Sequence, residues 1–154
     1  MSQYRIEKDR VPVVVSMVSG RRISGEMFVQ PYARHRGGPE EPQDVLNAAE
    51  PFFPLAEPSG EVRLVAKDLV AEVEALLPAG EDPVRHAGMQ PAVIEVRLST
   101  GAQRSGAIFL ELPTSRPRLL DYLNRVGERF LLLHDGDHLR LLNRRHIESV
   151  RPLD

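Results

Sequence analysis

The chain has no cysteine, which removes disulfide bridges and thiolate chemistry, whether as nucleophile or as metal ligand. It also has no apolar run approaching the length of a membrane span. The opening residues, MSQYRIEKDR, are charged and lack the apolar stretch of a secretory leader. Together these point to a reducing, cytoplasmic setting with no membrane partner. An excess of positive charge is missing as well. Twenty Lys and Arg stand against 22 Asp and Glu, giving a formal net charge of −2, so any contact with nucleic acid has to come from a local basic patch. No serine sits in a nucleophile-elbow context. The SGRR and GRRISGE stretches lack the lysine and the following helix of a phosphate-cradling loop. Nothing in the chain resembles an enzyme's constellation, and neither cofactor nor metal is expected.

What the 154 residues do contain is a repeat. Ser19 to Val29 reads SGRRISGEMFV, and Thr100 to Leu110 reads TGAQRSGAIFL. Gly20, Ser24, Gly25 and Phe28 recur 81 residues later as Gly101, Ser105, Gly106 and Phe109. Further on the offset becomes 77: Asp44-Val45-Leu46-Asn47 recurs as Asp121-Tyr122-Leu123-Asn124. Phe53 then matches Phe130, Leu55 matches Leu132, Arg63-Leu64 matches Arg140-Leu141 and Val73 matches Val150. The loop from His35 to Pro42 absorbs the four-residue difference. The expected organisation is a first unit over 1–76, a linker over 77–91 and a second unit over 92–154. A unit this small buries a modest core, so the two are expected to share an apolar interface.

Val11 to Val18 is rich in β-branched residues and predicts a strand, with Pro12 near its start. Gly20 supplies a turn, and Ile23 to Gln30 returns as a strand bent at Gly25. A Pro/Gly-rich loop follows, then a short helical turn over Gln43 to Ala49. PFFPL, EVRLVA and LVAEVEAL supply three further strands. The linker contains three prolines and two glycines. The second unit repeats this order, with a helix opening near Thr114, presenting Leu119, Leu120 and Leu123, and closing at Gly127. FLLLHDGDHLRLL predicts a tight hairpin about Asp135-Gly136. The expected fold is mainly β: a tandem pair of five-stranded bent barrels, each with one short helix.

VPVVVSMVSGRRISGEMFV, with the closing strand after VAKDLVAEV, resembles the Sm-like family, including bacterial Hfq. That resemblance implies a small SH3-like barrel and RNA contact through a basic pair. The pair falls on Lys67-Asp68 and on Arg144-Arg145. The middle insert, with DVLN or DYLN ahead of a Phe-containing strand, is not an Sm feature. It resembles a family of uncharacterised bacterial proteins that carries no established activity.

Three clusters are candidates for function. Tyr32, Arg34, His35 and Arg36 place an aromatic among basic residues beside flexible glycines, a combination suited to single-stranded nucleic acid or to a partner. Arg144, Arg145 and His146, with Arg140 nearby, form the stronger basic group, on a turn able to reach phosphates. Asp44/Asn47 and Asp121/Asn124 lie on one face of a helical turn, where Asp caps and Asn tolerates left-handed backbone. With Gly20, Gly25, Gly101 and Gly106 they read as structural repeat residues. His134 to His138 is metal-friendly in composition but reads as a hairpin tip. The expectation is a non-catalytic scaffold binding a protein partner, with Sm-like RNA binding as the alternative and sheet edges open to a homo-oligomer.

Overall fold

A computed structural model describes residues 9–31, 38–76, 90–110, 116–125 and 127–153. In chain order these form β1 (Asp9–Met17), β2 (Arg22–Val29), α1 (Pro42–Asn47), β3 (Phe52–Ala56), β4 (Val62–Ala66) and β5 (Val70–Leu76). There follow β6 (Gln90–Leu98), β7 (Gln103–Leu110), α2 (Arg116–Asn124), β8 (Phe130–Asp135), β9 (His138–Asn143) and β10 (Ile147–Pro152). Short 3-10 turns at Lys67–Leu69 and Arg144–His146 lead into β5 and β10. Among the described residues no helix is long and apolar enough to cross a membrane.

All ten strands belong to one antiparallel sheet, in the order β10-β6-β7-β8-β9-β5-β1-β2-β3-β4. The halves therefore do not stand as separate sheets; β5 and β9 join them, with Val73 opposite Leu141. Within each run of five the order is the same: last strand, first, second, third, fourth. The first pairing also keeps its register, since Val13 faces Gly25 and Ile94 faces Gly106. β6 begins at Gln90, two residues before the expected Ala92, because Gln90 and Pro91 still pair with Leu110 and Phe109. The rest of the linker lies outside the described residues.

The glycines at the bends have a specific cause. A Cβ on Gly25 would lie 2.6 Å from the Ala56 carbonyl oxygen, and one on Gly106 would strike that of His134. Beside these glycines the second and third strands of each run form their short ladders, through Glu26–Ala56 and Met27–Leu55 and through Ala107–His134. That narrow crossing lets the sheet fold back over its core. Gly20 and Gly101, at φ 96° and 94°, donate to Met17 and Leu98 across matching turns.

The sheet encloses two apolar clusters. The first gathers Val13, Val15, Met27, Leu46, Phe53, Leu55, Val65, Val70 and Val73, and it takes in Phe130, Leu132 and Leu141 from β8 and β9. The second gathers Ile94, Val96, Leu98, Ile108, Leu119, Leu131, Leu133 and Leu142. Alternation on β8 and β9 thus sends one set of side chains into each cluster.

Three local expectations are corrected. In α2, Leu120 is exposed and Tyr122 packs inward beside Leu119 and Leu123. Gly127 does not close the helix, because its φ is not positive; a guanidinium caps that end instead. In the β8–β9 hairpin Asp135 pairs with His138, so the two loop residues are Gly136 and Asp137. Gly136 at φ 63° in the first loop position fits a type II′ turn.

Candidate functional site

The basic cluster expected to face a ligand turns mostly inward. Arg144 donates to the carbonyls of Leu123 and Arg125 at the C-terminal end of α2, and its guanidinium lies 5.9 Å above the Tyr122 ring. Lys67, 77 residues earlier, does the same for α1: its Nζ donates to Val45 O at 2.7 Å and Ala48 O at 3.1 Å. Each cation donates to the carbonyls exposed at a helix's C-terminal end, where the backbone leaves acceptor capacity open. Lys67 is 1% exposed. Burial lowers its pKa below the ordinary lysine value, Arg129 adds to that, and Glu50 opposes it. Burial raises the Tyr122 pKa with help from Glu128, against Arg144 and Arg125.

Arg140 is also held internally. It donates to Asp135 at 3.0 Å and Glu72 at 3.2 Å, with Glu74 at 3.6 Å. Burial works against its charge, but Asp135, Glu72 and Glu74 together raise its pKa above the ordinary arginine value. Glu72, itself buried, also receives Arg104 through two bonds of 2.7 and 3.0 Å. β7 and β5 stand three places apart in the sheet, so this fork ties β7 to the strand joining the halves. The sequence reading missed Glu72, because a lone acid in an alternating strand looks solvent-facing.

Arg145 is 71% exposed at its side chain and lies 3.5 Å from Asp68. His146 Nε2 lies 2.8 Å from the Asp68 carbonyl, so the two 3-10 turns meet. Asn143 was also missed. Its amide donates to Lys67 O and Val70 O, and its oxygen accepts the Arg145 N–H. Tyr32, Arg34, His35 and Arg36 lie outside the described residues.

In the first repeated motif, Asp44 accepts the Glu41 N–H at 2.8 Å in a capping box. Asn47 is not left-handed, since no described residue other than glycine has positive φ. Its oxygen accepts the Phe130 N–H at 2.7 Å, a bond from the first run of strands to the second. Asp121 is exposed, as is Asn124. His134 packs edge-on against Phe109 and His138 lies 2.7 Å from Glu74, so alternation sends the two rings to opposite faces. Among the described residues no group of three or more acidic or imidazole side chains is placed to hold a metal.

Among the described residues, large apolar side chains also remain exposed on one hairpin. Phe52, Val62 and Leu64 are 55%, 55% and 69% exposed on the outer face of the β3–β4 hairpin. Their partners across the ladder are Ala66, Ala56 and Pro54. Behind this face opens a cleft of about 520 Å³ between α1, β2 and β3, lined by Phe28, Asp44, Phe52, Lys67 and Glu128 among others. Comparison of the chain with protein-family models, curated proteins and solved structures yields no match.

Proposed function

We propose that the protein is a non-catalytic binding or scaffold protein whose working surface is the outer face of the β3–β4 hairpin. The observation that carries this reading is the cluster of Phe52, Val62 and Leu64, three large apolar side chains left in water on one face of an edge hairpin. Burying one such side chain stabilises a complex by about 1.5–3 kcal/mol. The scaffold is read as two copies of one five-stranded bent unit of Sm or SH3 type. The repeated strand order, the shared register at Gly25 and Gly106, and the matched helix caps Lys67 and Arg144 support it.

A photo-crosslinking residue at Leu64, compared with one at exposed Val93 on β6, tests the assignment. Specific protein adducts at Leu64 are expected, and equal labelling at both positions would count against it. RNA binding is the second reading, favoured by the exposed Arg145 guanidinium next to His146. It expects the affinity of short U-rich or A-rich RNA to fall steeply with salt and to drop on Arg145→Ala. Flat anisotropy at low salt rejects it.

A further inference from the structure

We infer that the partner of the β3–β4 face is a second copy of this chain, joined head to tail: β4 of one copy pairs with β10 of the next. This rests on the protein-contact reading above and names its partner. The chain already contains one such joint. At β9–β5, the outer face of the β8–β9 hairpin lies over the first apolar cluster and buries Phe130 and Leu141 completely. The β3–β4 hairpin has the same construction. Phe52 faces Ala66 as Phe130 faces Asn143, Pro54 faces Leu64 as Leu132 faces Leu141, and Ala56 faces Val62 as His134 faces Leu139. Yet Phe52 and Leu64 are exposed where Phe130 and Leu141 are not.

The second cluster has the complementary gap. Val70 and Val73 on β5 are fully buried under β8 and β9, whereas Ile147 and Val150, at the matching positions of β10, are only half-buried. One end of the chain carries an apolar cover without a core beneath it, and the other a core without its cover. Carrying the Val73–Leu141 register across sets Val150 opposite Leu64. It also brings Phe52 to exposed Asn124, as Phe130 meets Asn47 at the internal joint. The Leu153 N–H donates inward to Val93, so Val150 directs its polar backbone to the free edge, and Pro152, lacking an N–H, ends the ladder there. The same register places Arg151 opposite Arg63. Each has its own acid, Glu95 and Glu57, both at 3.1 Å.

Because the two surfaces differ, the contact is heterologous and repeats, giving a closed ring or a filament. Sedimentation of the full chain over a wide concentration range tests this. The wild type is expected well above monomer mass. Leu64→Asp, at an exposed site, and Asn124→Trp, which fills the landing place of Phe52, are each expected to sediment as folded monomers. Mixed, they are expected to form a dimer, because each retains the surface the other has lost. A monomeric wild type, a mixture that stays monomeric, or variants that leave the mass unchanged would overturn the inference. A monomeric wild type that crosslinks through Leu64 to another protein would overturn it while leaving the protein-contact reading intact. A monomer that gives no Leu64-specific adduct would remove both.

Discussion

Lys67 shows how a residue chosen for its charge ends up working inside the fold. Its ammonium replaces the missing donors at the end of α1, at the cost of leaving water. Lys67→Met fits the apolar path of the stem but takes the ammonium from the Ala48 and Val45 carbonyls, leaving Val45 O the Ala48 N–H, so a loss of about 1–3 kcal/mol is expected in urea unfolding. The pH dependence has a definite sign. Burial lets the folded state release this proton at lower pH than the unfolded chain does, so between those points the unfolded chain holds more protons. The wild type should therefore gain stability relative to Lys67→Met as pH rises from neutral toward the ordinary lysine value of 10.5. Glu72 is the opposite case, an acid held between Arg104 and Arg140. Glu72→Ala leaves two guanidiniums facing each other in a half-buried site, and a loss of about 3 kcal/mol is expected. A drop smaller than that of a surface Glu→Ala control would show the fork to be ornamental.

Strands and turns were legible in the chain because their signals are local. β-branched residues marked β1, a turn glycine marked the first hairpin, and the repeat carried both readings to β6 and β7. Register was less legible. Matching Phe53 to Phe130 by spacing alone sets β8 one residue out of step, because the β8–β9 turn is a residue shorter than its counterpart. The ladders place Phe53 with Leu131 and Phe52 with Phe130. A one-residue slip exchanges the two faces of a strand, so it decides which apolar residues are core and which are surface. The bends test the same logic. Gly106→Ala drives a Cβ into the His134 carbonyl and strains the narrow β7–β8 crossing, with an expected loss of about 1–3 kcal/mol. Gly20→Ala meets open space and carries only the conformational cost of positive φ, about 1 kcal/mol. Asn should relieve the loss at Gly20 and not at Gly106, as thermal melts of the four variants would show.

The candidate basic site was only partly visible in advance, because a sequence lists cations without saying which have helix ends to cap. Arg144 turned inward for that reason and Arg140 toward the carboxylates of Asp135, Glu72 and Glu74, while the apolar face at Phe52 and Leu64 read as ordinary strand. The arrangement of the two clusters extends this point to the chain as a unit. The first cluster is completed by Phe130, Leu132 and Leu141, and by the Asn47–Phe130 bond, all supplied from the second run of strands. Cut between β5 and β6, the fragment 1–76 keeps its strands but loses that cover and exposes Val73 and Ala75 along an unpaired edge. It is expected to unfold without a cooperative transition, whereas mixing it with 77–154 should restore a cooperative equimolar complex through the β5–β9 ladder. Titration followed by near-ultraviolet circular dichroism measures this directly. If 1–76 instead melts cooperatively as a monomer, the β5–β9 joint is a contact between finished domains, and the burial of Phe130 and Leu141 reflects docking and not the completion of a core.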